Sequence, residues 1–241
     1  MKHLRLMTLA LILLLATQSL PANDLYQPKS FKNADGKELP YRMMLPEGYK
    51  ADDKTEYPLV LFLHGAGERG NDNAKQLVHG AAEFAKPANR QKYPAIVVAP
   101  QCPSGSFWTR EDKNLMGLLD SVRKDYRIDA RRIYVTGLSM GGFGTWSLIA
   151  ATPTLFAAAA PICGGGSTES AGKLVNLPIW VFHGDADTVV KPDLSRNMVK
   201  AIEKAGGKPK YTEYAGVGHD SWTATYANPD FIAWLFSQKK P

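Results

Sequence analysis

Six short, mostly apolar runs punctuate the chain, at residues 59–63, 95–99, 133–136, 157–162, 179–182 and 211–214. Their length and their β-branched or aromatic content predict strands of a parallel sheet, buried on both faces. Helix-spaced apolar positions fall between them. Leu115, Leu118, Leu119, Val122 and Tyr126 recur at that spacing after Thr109-x-x-Asp112, a pattern like a capping box. Leu194, Met198, Val199, Ile202 and Ala205 recur up to Gly206-Gly207, which stops the helix. A further helical stretch covers 143–151, and a last helix opens at Pro229-Asp230 with Phe231, Trp234 and Leu235. Ahead of the first run, segments 26–32 and 39–45 flank Asp35-Gly36 as a hairpin, closed by Pro46-Glu47-Gly48. The whole pattern predicts an α/β fold: a mostly parallel central sheet, helices on both of its faces, and an N-terminal antiparallel hairpin.

The first residues obey a different rule. Lys2 and Arg5 precede an unbroken apolar run at 9–16, and a short polar stretch then ends in small residues near Ala22. This is the layout of a cleaved secretory signal over residues 1–22, and the run is too short for a stable membrane anchor. Residues 23–241 then read as one catalytic domain, exported to the periplasm or beyond. At 241 residues, 44% apolar and 22% charged, the chain has the make-up of a globular protein, which excludes disorder and fibrous folds. The formal charge of +6 includes the two leader cations and is scattered, with no basic stripe of the nucleic-acid-binding kind. Export allows Cys102 and Cys163 to form one bridge or to remain two buried thiols, and sequence leaves both open.

In a parallel sheet, chemistry gathers at the carboxyl ends of the strands. Gly137-Leu138-Ser139-Met140-Gly141 follows the run 133–136 and precedes a helix, which is the context a G-x-S-x-G nucleophile turn requires. A serine hydroxyl at neutral pH needs a base, and the base needs an orienting acid. His183-Gly184-Asp185-Ala186-Asp187 leaves the run 179–182, and Gly216-Val217-Gly218-His219 leaves the run 211–214. Serine, acid and histidine thus come in the chain order such a site uses. Of five histidines, His3 lies in the leader, His79 in an expected helix, and His64 and His183 at strand ends with packing or hydrogen-bonding roles. Ser139 is therefore the expected nucleophile, His219 the base and Asp187 the acid, with Asp185 a competitor that caps the turn. The N–H groups of Met140 and Ala66 are the expected oxyanion donors, with Gly67 second to Ala66. Gly67, Trp108 and Trp222 are expected beside the substrate, with Phe107; Glu68, Arg69, Asn71 and Asp72 bound the entrance or form a solvated loop. Gly65-Ala66-Gly67-Glu68-Arg69-Gly70 matches G-x-G-x-x-G, but no ribose-binding acid follows the next strand, so no nucleotide cofactor is expected. The scattered histidines and distant cysteines give no zinc pattern, and no metal is expected.

Taken in order, Leu45-Pro46-Glu47-Gly48-Tyr49, residues 58–67, Ala99-Pro100-Gln101-Cys102-Pro103 and residues 137–146, 183–189 and 216–222 form a familiar set. They resemble the dienelactone-hydrolase and prolyl-oligopeptidase-like branch of the α/β-hydrolases. Within it the chain is similar to small secreted bacterial phospholipase/carboxylesterase-type proteins and to feruloyl and acetylxylan esterases. The resemblance implies Ser139, Asp187 and His219 as a triad, working through an acyl-enzyme on short-acyl or on feruloyl or acetyl polysaccharide esters. The expected partner is a small-molecule or polysaccharide-linked ester, not nucleic acid; oligomeric state stays open. A serine peptidase and a non-catalytic binding protein on the same fold are the alternatives, although no propeller domain of the prolyl-oligopeptidase kind fits this length.

Overall fold

A computed structural model describes residues 22–241. The secretory leader read from residues 1–22 lies, but for Ala22, outside the described residues.

Among these residues eight strands form one sheet: β1 (Tyr26–Lys32), β2 (Glu38–Met44), β3 (Tyr57–Leu63), β4 (Ile96–Pro100), β5 (Ile128–Leu138), β6 (Ala158–Ile162), β7 (Trp180–Gly184) and β8 (Lys210–Tyr214). Their spatial order is β1-β2-β4-β3-β5-β6-β7-β8. The hairpin β1–β2 turns at Gly36 (φ +78°) and docks antiparallel on β4, and every pair from β4 to β8 is parallel. The order reverses around β3, which lies between β4 and β5. Parallel strands leave all their following loops at one edge, and the reversal opens a crevice there.

Among the described residues, seven α-helices flank the sheet: α1 (Ala81–Ala85), α2 (Pro87–Lys92), α3 (Asp112–Asp125), α4 (Met140–Ala151), α5 (Asp193–Lys204), α6 (Ser221–Ala227) and α7 (Pro229–Ser237). Leu59, Leu61 and Leu63 of β3 point to one core with Leu115 and Leu119 of α3, Trp146 of α4 and Met198 of α5. Val60 and Phe62 point to the other, with Phe84 of α1, Tyr226 of α6 and Phe231 of α7. Both faces are therefore covered, which explains why β3 reads as a continuous apolar run rather than an alternating one.

Two local expectations change, and the open question of the cysteines closes. Thr109 does not cap α3, because residues Trp108–Arg110 wind into a 3-10 turn and the helix starts at Asp112 with no side-chain cap. The buried Trp108 indole N–H donates to the His64 carbonyl (2.9 Å), and this anchor sets the path of the turn. His79 precedes α1 instead of lying in a helix. Gly80 (φ +60°) redirects the chain there, and a Cβ on it would meet the Phe62 and Tyr226 rings at 2.6 Å. Cys102 and Cys163 are separate, buried thiols.

Candidate active site

Ser139 stands between β5 and α4 with φ +51° and ψ −114°, a conformation costly for a residue with a Cβ. Close packing holds it there. Its N–H donates to the Ile162 carbonyl (3.0 Å) at the end of β6. A Cβ on Gly141 would lie 1.9 Å from the Leu63 carbonyl oxygen, and one on Gly137 would lie 2.5 Å from the Gly141 carbonyl. The turn fits between β3 and β6 only because both positions are glycine, and the packing pushes the serine side chain outward.

His219 comes from the loop after β8. Its Nε2 lies 2.9 Å from Ser139 Oγ, and its Nδ1 lies 2.7 Å from Asp187 Oδ2. The loops after β7 and β8 are zipped together: Asp185 N–H donates to the Tyr214 carbonyl, Ala186 N–H to the Val217 carbonyl, and Gly216 N–H to Asp185 Oδ1. Asp185 thus braces the turn, and Asp187, two residues further, reaches the imidazole. Asp187 is 3% exposed. Its Oδ1 accepts from the N–H groups of Val189 (2.8 Å) and Val190 (2.9 Å), and its Oδ2 also faces His183 Nε2 at 3.2 Å. Burial raises its pKa, but the bonds from His219, Val190 and Val189 outweigh that and hold the carboxyl below its ordinary value.

Two backbone donors, one directly after the serine and one in the turn after β3, are free. Among the described residues, neither Met140 N–H, at the start of α4, nor Ala66 N–H, after β3, has a hydrogen-bond acceptor. Gly67 follows Ala66 in the same exposed turn. A cleft of about 310 Å³ opens alongside, lined by Phe107, Trp108, Thr109, Ser139, Met140 and Phe143. Trp108 is fully buried and forms its fixed inner wall, whereas Phe107 is 44% exposed at the rim, with the Arg69 guanidinium 5.0 Å from its ring. Trp222 meets the His219 ring edge-on at 5.2 Å and His79 at 5.6 Å, so it buttresses the imidazole. Glu68 and Asp72 serve the loop itself: Gln101 Nε2 donates to the Glu68 carbonyl and to Asp72 Oδ1.

Phe143 carries no sequence signal of its own; its place follows from the first turn of α4. Cys163 is likewise visible only in the fold. Its sulfur, an Asp187 carboxylate oxygen and a His219 ring nitrogen lie within 4.8 Å of one another. The imidazole and carboxylate are already hydrogen-bonded to each other, and burial pushes the thiol up to about 12, so at neutral pH this is a hydrogen-bonded group with a protonated thiol. Spacing alone gives it no metal-binding role.

A doubly covered, mostly parallel sheet with a serine on a strained strand-to-helix turn defines the α/β-hydrolase fold. More narrowly, residues 104–230 match the dienelactone hydrolase family, and the chain belongs to that family. A solved thermostable esterase is 43% identical with a TM-score of 0.85, over 91% of this chain and 64% of its own. The bifunctional acetylxylan esterase/xylanase XynS20E of Neocallimastix patriciarum is 30% identical over 55% of this chain and 20% of its own length. A probable feruloyl esterase C of Aspergillus terreus is 29% identical over 73% of this chain and 64% of its own. The chain spans less than two thirds of each of these three proteins.

Proposed function

We propose that this protein is an exported serine esterase that cleaves carboxylic esters through an acyl-enzyme. The observation that carries the reading is the continuous relay from Ser139 Oγ through His219 (2.9 Å and 2.7 Å) to a buried, fully hydrogen-bonded Asp187. In this mechanism, His219 Nε2 takes the hydroxyl proton as Oγ attacks the ester carbonyl, and Asp187 stabilises the imidazolium that forms. The oxyanion falls to the N–H groups of Met140 and Ala66, each such donor contributing about 2.7–4 kcal/mol to the transition state. His219 then protonates the departing alcohol. Water attacks the acyl-enzyme by the same route and releases the acid.

The aromatic cleft of Phe107, Trp108 and Phe143 suits a short or aromatic acyl group; Gly67, in the exposed turn after β3, and Trp222, packed on His219, are further substrate contacts in this reading. Short-acyl esters and feruloyl or acetyl esters of polysaccharides are the substrate class, a choice supported by what the esterase relatives are named for. Export is supported by the basic and apolar leader and by similarity to a protein described as secreted.

The test is hydrolysis of p-nitrophenyl acetate and butyrate by the mature protein beside Ser139→Ala, with fluorophosphonate labelling of both. Wild-type turnover and labelling, both lost in a folded Ser139→Ala variant, are expected. Full activity in the variant rejects Ser139 as nucleophile, and a wild type inert to both esters and the probe rejects the enzyme. Methyl ferulate and acetylated xylan then sort the acyl preference.

A further inference from the structure

Behind the proposed triad lies a second histidine that the mechanism above does not use. His183 is fully buried near the end of β7. Its Nε2 is 2.8 Å from the Val190 carbonyl oxygen, which can only accept, so Nε2 carries a proton in either charge state of the ring. The same nitrogen is 3.2 Å from Asp187 Oδ2, the oxygen that also accepts from His219. Its other nitrogen, Nδ1, is 2.7 Å from the buried Ser195 hydroxyl of α5, which is itself 3.1 Å from the Gly164 carbonyl. The ring is thus clamped at both nitrogens, with its one Nε2–H divided between the Val190 carbonyl, at 2.8 Å, and the acid, at 3.2 Å.

We infer that His183 is a positioning residue for the esterase reaction: its Nε2–H shares Asp187 Oδ2 with His219, fixes that oxygen, and limits how strongly it stabilises the His219 imidazolium. The inference rests on the triad reading. A carboxylate oxygen that accepts a second hydrogen bond is a weaker base toward the first donor. With His183 in place, part of the hydrogen-bonding capacity of Asp187 Oδ2 is engaged behind the site, and less of it bears on His219.

Other ionisable groups pack around this centre, and none of them makes a hydrogen bond to Asp187. Glu213 of β8 lies opposite His183 in register and is engaged by Arg196 and the Tyr211 hydroxyl. Asp185 is committed to Gly216 N–H. The Cys163 thiol stays protonated. Asp220 adjoins His219 in the chain.

The experiment compares pH profiles of kcat/KM for the wild type, His183→Leu and His183→Gln, with Ser139→Ala as the control for the triad. In His183→Leu the acid limb is expected to move up by about half a unit or more, with kcat down roughly tenfold and KM unchanged. Gln offers an amide N–H close to the place of Nε2 and is expected to return the limb toward its wild-type position. A residue that merely fills space would lower the melting temperature and leave the limb where it was. An unmoved or lowered limb in His183→Leu, or a Gln variant that behaves like Leu, overturns the inference. Should His183→Leu fail to fold, nitrogen-15 spectra of the histidine-labelled wild type decide: a protonated Nε2 on His183 is expected, and an unprotonated one overturns the role. An active Ser139→Ala sinks the triad itself, whereas an inactive one beside an unmoved limb sinks only the role of His183.

Discussion

Asp185 and Asp187 are two residues apart, and their oxygens meet different donors. Asp185 Oδ1 takes one N–H, from Gly216, while Asp187 is ringed by two backbone N–H groups and two imidazoles. Asp187→Asn keeps the shape but offers His219 Nδ1 an amide where a carboxylate is needed, so kcat is expected to fall by about 10³–10⁴-fold. Asp185→Asn still accepts from Gly216 and is expected to stay within about tenfold of wild type. Equal losses in the two variants, measured by steady-state ester hydrolysis, would remove the distinction. The convergence of Ser139, His219 and Asp187 was legible in sequence because each follows a parallel strand, and such strands deliver their loops to one edge. Two other details were not. The contact of His183 with Asp187 depends on the path of residues 187–190, and the burial of Trp108 depends on its bond to the His64 carbonyl; neither leaves a trace in spacing.

At the scale of elements, His64 ties the end of β3 to the segment after β4. Its Nε2 accepts from Cys102 N–H (2.9 Å), and its Nδ1–H faces the Gly65 carbonyl (2.6 Å), immediately before Ala66. The ring is therefore neutral with its proton on Nδ1, and burial lowers its pKa from 6.5 to about 4. Below pH 6.5 the unfolded chain binds a proton here that the folded chain refuses, so stability falls as pH drops through this window. Over the whole window the loss is about 3 kcal/mol. Asp187, whose pKa is depressed, adds a further loss at lower pH: its contribution is full above its ordinary value of 3.8 and disappears as pH falls through its folded value. In His64→Gln the amide oxygen still accepts from Cys102, but nothing titrates. Urea unfolding at pH 7 and pH 4.5 should show a clearly smaller drop for the variant, and an identical drop would mean that His64 is not the titrating group. The central strands were read to within a few residues, because burial on both faces makes them plain apolar runs; β5 instead starts at Ile128, ahead of its apolar run, and the edge strand β8 is not buried on both faces as expected but only partly covered. Helix starts fared worse. Glu111, not Thr109, precedes α3, since a tertiary anchor at Trp108 overrides the local capping pattern.

Over the whole molecule, the order of the strands decides what compartment chemistry cannot. Export would permit a disulfide, and both cysteines sit just past strand ends at the same sheet edge, so sequence favoured neither outcome. Cys102 follows β4 and Cys163 follows β6, with β3 and β5 between them. Three interstrand spacings amount to about 14 Å, roughly twice the largest Cα separation a disulfide bridges. Sequence could not supply this distance, because the exchange of β3 and β4 in the sheet is a long-range choice that no local pattern encodes. Burial also pushes both thiols up to about 12, which keeps them protonated and poor partners for exchange. The mature protein, prepared without reductant, should therefore leave a thiol reagent unreacted while folded and release two thiols when denatured. Its melting temperature should not change with dithiothreitol. A denatured sample with no free thiol would place the two cysteines within bonding distance and overturn the strand order on which the site geometry depends.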